Sequence, residues 1–254
     1  MAKRSLRIVL KFGSGILSLE QGVGLSRRQI ARLAREVGAL VRAGHECVIV
    51  SSGAVAAGLA TLGLSTRPKE LAGKQACAAV GQSQLMHAYA SAFARQGLAV
   101  AQLLLTHNDL DSRTRHHNAR ATLLHLLARG NIVPVINEND SVAVEELNFG
   151  DNDRLSAEVS ILVDADLLII LTSVDGLQDA AGKTVPLVQD FSAIAGLVRS
   201  DKGRVSTGGM VTKLQAAQLA VKAGIPVNIA SGRKAGVVYQ IVAGKRVGTY
   251  FPAK

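Results

Sequence analysis

Apolar runs of strand length alternate along this chain with longer segments whose apolar residues recur at helical spacing. Ile8-Val9-Leu10 ends on Lys11, and Glu46-Cys47-Val48-Ile49-Val50-Ser51 is a β-branched run; both read as buried strands. Between them Ile30, Leu33, Ala34, Val37 and Val41 fall on one face of a helix over residues 27–43, closed by Gly44. Strand, helix, strand predicts a parallel sheet with a right-handed crossover. The alternation persists: a helix over 68–96 interrupted around Gly81, a strand over 98–105, a helix over 112–128 and a strand over 132–136. Pro134 costs the last of these a ladder donor, which predicts an edge strand or a local irregularity. A helix carrying Leu155, Val159, Leu162 and Val163 leads to a strand over 167–171 and a hairpin closing near Leu187-Val188. A helix from near Gly209, a strand over 226–230, a short helix and the segment Val247-Gly248-Thr249-Tyr250-Phe251 complete the pattern. No linker, repeat or low-complexity segment divides it, so residues 1–254 are expected to form one α/β domain.

Composition narrows the function classes. Hydrophobic residues make up 48% of the chain, yet no apolar run is long enough to span a bilayer, and the basic N-terminus is followed by too short an apolar run for a signal peptide. A cytoplasmic protein with no membrane partner is the expectation. Cys47 and Cys77 stand in a strand and a helix with no CxxC pair, so both read as reduced core residues. Six histidines form no HExxH, and no zinc site is indicated. The net charge of +10 is compatible with nucleic acid or with small acidic ligands. Aromatics are 3% with no Trp, and Arg27, Arg28, Arg32, Arg35 and Arg42 surround one helix instead of forming a stripe, so nucleic acid is not expected.

The polar residues at strand ends bring in chemistry. Lys11-Phe12-Gly13-Ser14-Gly15 offers a lysine and a flexible turn where open α/β sheets bind ligands, and equally a strand whose lysine is simply solvated. Ser51-Ser52-Gly53 supplies hydroxyls where a helix begins, either an anion site or an ordinary N-cap. Asn137-Glu138-Asn139-Asp140-Ser141 is an acidic, amide-rich turn, and Phe149-Gly150-Asp151-Asn152-Asp153 adds carboxylates and an amide before a helix. Thr172-Ser173 follows another strand. Gly176 to Thr184 imitates a Walker loop, but its first glycine is one residue too far from Gly182-Lys183-Thr184 and Pro186 stands where a helix should run, so it is rejected. In Thr207-Gly208-Gly209-Met210-Val211-Thr212-Lys213 the lysine lies in the first turns of a helix and leans back toward the glycine N-H groups. Lys11, Ser52, Asp140, Asn152, Asp153, Thr172 and Lys213 all belong to one predicted sheet edge, and phosphoryl transfer needs such a set: separated cations, N-H donors and an orienting carboxylate.

At six blocks in order the chain resembles the amino-acid kinases, and within them those that phosphorylate the γ-carboxylate of L-glutamate. The blocks are Val9 to Ser14, Val48 to Ala54, Lys74-Gln75 through Val80-Gly81-Gln82, Val133 to Asp140, Gly150 to Asp153 and Thr207 to Lys213. The resemblance implies a three-layer α/β/α sandwich with a mostly parallel central sheet, its N-terminal half holding the amino acid and its C-terminal half the nucleotide. It implies Lys11 and Lys213 as stabilisers of the transferring group, Asp153 as the residue that orients them, and Ser52, Asp140 and Asn152 as the glutamate site. Lys11, Thr172, Ser173, Thr207, Gly208, Gly209, Met210, Val211, Thr212 and Lys213 would line the ATP site, with Mg²⁺ held mainly by the ATP phosphates and no dedicated metal ligands. It further implies a homo-oligomer feeding proline biosynthesis, with L-proline as feedback inhibitor. The sequence departs from the pattern at Ser173, where many relatives carry aspartate, and it stops at Lys254 where many bacterial relatives continue into a domain resembling RNA-modification domains, so a short form is expected. The alternatives are a sister kinase acting on N-acetylglutamate or another small acid, and a non-catalytic small-molecule sensor.

Overall fold

Seven strands form one sheet because their apolar runs are buried on both sides, as a parallel sheet covered by helices requires. The computed structural model describes residues 4–142, 151–194 and 209–253. In chain order the strands are β1 (Arg7–Phe12), β2 (Glu46–Ser51), β3 (Ala99–Leu105), β4 (Ile132–Glu138), β5 (Leu167–Thr172), β6 (Val227–Ser231) and β7 (Thr249–Phe251). They are ordered β3-β4-β2-β1-β5-β6-β7, and every pairing is parallel except β6 with β7. The helices are α1 (Ser14–Leu17), α2 (Arg27–Arg42), α3 (Ala54–Thr61), α4 (Leu71–Ala94), α5 (His107–Asp111), α6 (Arg113–Leu127), α7 (Asp151–Leu162), α8 (Met210–Lys222) and α9 (Val237–Val242).

Alternation along the strands sorts side chains onto two faces. Val9, Val48, Val50, Ile136, Leu168 and Ile170 pack with α6, α7 and α8, whereas Ile8, Leu10, Phe12, Ile49, Val133, Val135 and Ile169 pack with α2, α4 and α9. The result is the expected three-layer α/β/α sandwich. From β1 the chain crosses to β2 on one side, while β5 leads to β6 on the other, so β1 and β5 flank the topological switch point where such sheets open a crevice at their carboxyl ends.

Two local expectations need correction. The helix around Gly81 is not interrupted: α4 runs unbroken through it. Its glycine serves packing, since a Cβ there would lie 1.7 Å from the Ala54 carbonyl oxygen, and one at Gly58 would lie 1.9 Å from that of Cys77. The two glycines let α3 and α4 cross backbone to backbone. Pro134 does not mark an edge, because β4 lies between β3 and β2; the irregularity is a short ladder, with β2 and β4 paired only at Ile49 with Val135 and Val50 with Ile136. The expected hairpin is present as a short one, with an antiparallel bridge of Gln178 with Thr184 flanked by hydrogen bonds from the Val185 N-H to the Leu177 carbonyl and from the Asp179 N-H to the Lys183 carbonyl, while Leu187 bridges to Tyr250. Cys47 and Cys77 are free and buried, and burial, aided by the Glu46 carboxylate, pushes the Cys47 thiol up to about 12.

Candidate active site

Lys11 is the last residue of β1 on the face that carries Val9, so alternation aims it at α7 and α8 and not at solvent. It is only 5% exposed. There its Nζ meets Asp153 Oδ1 at 2.5 Å, and Lys213 Nζ meets Asp153 Oδ2 at 3.1 Å. Thr212 Oγ1 donates to the same Oδ2 at 2.7 Å. Asp153 stands in the first turn of α7, where a carboxylate gains from the helix dipole, and Lys213 stands in the first turns of α8, leaning back toward Gly209. Ser156 and Ser160, both buried, return their hydroxyls to the carbonyls of Asp153 and Ser156, so the polar side chains in this part of α7 cost no unpaired donor.

The electrostatics follow from burial. For Asp153 desolvation alone would raise the carboxyl, but Lys11, Lys213 and the Thr212 hydroxyl outweigh it and hold the group below the ordinary carboxylate range. For Lys11 desolvation wins: with Lys213 adding to it, the ammonium sits below its ordinary value despite the Asp153 partner. Two ammonium groups meet one carboxylate in a nearly dry place, where the phosphate oxygens of a polyanion would find both cations within reach.

Ser52 and Thr172 continue the same face, one residue past β2 and at the end of β5. Asn152 Nδ2 donates to Ser52 Oγ at 3.3 Å, while Asn152 Oδ1 is buried without a partner. The N-cap of α3 is Gly53, in a left-handed conformation with φ of 107°, so Ser52 does not serve as the ordinary cap. Asp140 lies half-buried in the turn after β4. Thr172 pairs in register with Ser231, and Ser173 is exposed next to Gly15, whose added Cβ would lie 3.6 Å from its hydroxyl. In the glycine turn the Gly13 N-H is spent on the Leu171 carbonyl at 3.2 Å, stitching β1 to β5.

Lys11, Asp153, Thr212 and Lys213 are thus one contact set, Ser52 and Asn152 a second beside it, and Asp140, Thr172, Ser173, Gly209, Met210 and Val211 lie on the same sheet edge. Thr207 and Gly208 lie outside the described residues. Sequence reasoning missed the tie from Thr212 to Asp153 and the polar side chains of Gln82 and Tyr89 behind the site, and it read Ser51 and Asn137 only as part of their turns, not as the residues those two meet. The available signal was the polar residue ending the opposite face of an apolar strand, Ser51 after Cys47 and Ile49 and Asn137 after Val133 and Val135.

The chain is 49% identical to glutamate 5-kinase of Citrifermentans bemidjiense over 258 residues, covering 99% of this chain and 69% of that protein. It is 47% identical to glutamate 5-kinase of Thermus thermophilus, covering 98% and 68%. Among solved structures, UMP kinase from Bacillus anthracis superposes with a TM-score of 0.64 at 16% identity over 99% of this chain and 98% of that one. N-acetylglutamate synthase from Neisseria gonorrhoeae gives 0.67 at 16% identity, with this chain spanning 62% of its length. At such identities those two structures speak for the fold alone. The profile of the amino acid kinase family matches residues 6–231, and the chain belongs to that family, among its glutamate 5-kinases.

Proposed function

We propose that this protein transfers the γ-phosphoryl group of ATP to the γ-carboxylate of L-glutamate, giving L-glutamyl 5-phosphate and ADP at the entry to proline biosynthesis. The observation that carries the reading is the dry cluster of Lys11, Asp153 and Lys213 at the switch point between β1 and β5. Its two ammonium groups, held side by side, fit a polyphosphate. A carboxylate oxygen of glutamate attacks the γ-phosphorus in line, the bond from that phosphorus to the β,γ-bridging oxygen breaks, and its electron pair leaves with ADP. No general base is needed, because a glutamate side chain has a pKa of about 4.3 and is already ionised near neutral pH. Lys11 and Lys213 would stabilise the charge spread over the equatorial oxygens, and Asp153, kept ionised by its neighbours, would hold both ammonium groups in place. Mg²⁺ would be carried by the phosphate oxygens of ATP, where it neutralises their charge.

Ser52, Asn152 and Asp140 would hold the amino acid; the unpartnered Asn152 Oδ1 suits an ammonium donor. Thr172, Ser173 and residues 207–213 would line the nucleotide. On this reading the halves of the one domain divide the work, the strands β1 to β4 facing glutamate and β5 to β7 facing ATP. Self-association and inhibition by L-proline are proposed with it, from the family resemblance. The test is ATP- and Mg²⁺-dependent acyl phosphate trapped with hydroxylamine, on L-glutamate beside N-acetyl-L-glutamate and L-aspartate, with and without L-proline. Turnover on glutamate alone is expected. Turnover on another acid overturns the substrate assignment, and none on any acid overturns the reaction.

A further inference from the structure

The residues that would touch glutamate lie on one face of the sheet, and what stands behind them on the other face is α4. Ser51 and Asn137 end the face of β2 and β4 that packs on this helix, and both are buried. Each is met by a polar side chain of α4. Tyr89 lies 2.8 Å from Ser51 Oγ, whose own proton goes to the Ser52 carbonyl, so the phenol is the donor. Gln82 Oε1 accepts from Asn137 Nδ2 at 2.8 Å, and Asn137 Oδ1 in turn accepts from the Glu138 N-H at 2.9 Å. Gln82 and Tyr89 are seven residues apart, two helical turns, and therefore project from one side of α4.

The polarity of the second chain is dictated by its backbone end. A Glu138 N-H can only donate, so Asn137 must present oxygen to it and nitrogen to Gln82, which must then present its oxygen. That leaves Gln82 Nε2 buried with no partner. An apolar side chain of the same length would avoid the orphaned donor, so packing alone does not account for a glutamine here. Its oxygen does the one thing an apolar group could not, which is to anchor Asn137 at the root of the turn that carries Asp140. The crossing at Gly58 and Gly81 fixes α4 against α3 beside this anchor, since Gly81 directly precedes Gln82 and α3 starts two residues after Ser52.

We infer that Gln82 is a positioning residue for the amino-acid substrate, acting through Asn137 to set the turn from Asn137 to Asp140. The inference rests on the glutamate-site reading above. Steady-state kinetics in both substrates test it on the whole chain, with Asn152→Ala as the reference for that reading. Gln82→Met is expected to raise KM for glutamate about tenfold, the loss of roughly one buried hydrogen bond, while KM for ATP moves less than about twofold. In the background of Asn137→Ala the same change should add nothing, because its only route is gone. Gln82→Glu keeps an acceptor oxygen for Asn137 and should hold KM for glutamate within about threefold of the parent; it also decides the matter if Gln82→Met does not fold. Unchanged KM for glutamate in Gln82→Met, additive effects with Asn137→Ala, equal shifts for both substrates, or a tenfold rise in Gln82→Glu would each overturn the inference. If Asn152→Ala also leaves KM for glutamate untouched, the substrate site itself has been misplaced; if it raises that KM and Gln82→Met does not, only the role of Gln82 falls.

Discussion

Strand β1 carries a charged residue at each end, and the two are used in opposite ways. At the amino end Arg7 binds Glu46 at 2.6 Å and the Val163 carbonyl at 2.5 Å, while its N-H donates to Asp166, which also pairs with Arg4. Each cation there has its own carboxylate, and the Arg7 and Glu46 side chains keep about a quarter to a third of their surface, 25% and 32%, in water. At the carboxyl end two lysines share Asp153, whose side chain is 1% exposed. The first arrangement is complete as it stands and ties β1, β2 and the segment after α7 together. The second gathers two cations at one dry carboxylate, a state that folding alone would not favour. Half-wet pairs read as structure; two cations gathered at one dry carboxylate read as a place prepared for an anion.

The largest effect that would break this contrast is kinetic. Lys213→Ala is expected to lower kcat about 10³-fold, as removal of one group that stabilises transition-state charge does, with KM for glutamate changed less than about threefold. Acyl hydroxamate formation under saturating substrates measures it. Near-normal turnover would end the distinction between the two ends of β1.

Asp153 gives the next largest effect, on stability. Replacing it with Asn removes the carboxylate that both buried ammonium groups meet, and a loss of about 3 kcal/mol at neutral pH is expected from urea unfolding. The sign with pH follows from its lowered pKa. A carboxyl that ionises more easily folded than unfolded contributes stability above the unfolded value, near 3.9, and loses it as pH falls through the folded one. The gap between parent and Asp153→Asn should therefore be full at pH 5 to 7 and shrink below about pH 4. A gap constant down to pH 3 would mean that Asp153 is not held ionised by the lysines.

Much of this was legible in the residues. Strand-length apolar runs marked six of the seven strands within a few residues, and the helical spacing from Ile30 to Val41 marked α2, because burial on both sheet faces and on one helix face is what those patterns encode. Lys11, Asp153 and Lys213 were legible as strand-end and helix-start residues. What stayed hidden depends on contacts distant in sequence. Gly81 reads as a helix breaker until α3 is seen crossing it, Pro134 reads as an edge until the short ladder with β2 is seen, and a threonine beside a lysine says nothing of the carboxylate 59 residues away that it meets. Ser51 and Asn137 were hidden more thinly, since each ends a strand on the face opposite the one that chemistry drew attention to.

The smallest effect sharpens the contrast from the other side. Arg7→Met keeps the length of the side chain and removes its charge, so Glu46 and the Val163 carbonyl lose a donor. Glu46 is partly exposed and can turn to water, which limits the penalty, whereas Val163 is fully buried. A loss of about 1 to 2 kcal/mol in urea unfolding is expected, the range for half-buried hydrogen bonds to a charged group. The Lys11 cluster lies at the other end of the strand, about four residues at 3.3 Å each away, beyond a screening length at physiological salt. Its kinetics should therefore not follow: kcat and both KM values are expected within about twofold of the parent, since well-separated sites act independently. A tenfold fall in kcat from Arg7→Met at unchanged fold would show that the two ends of β1 are coupled, and that the ion pairs at its amino end belong to the working of the site and not only to the frame that holds it.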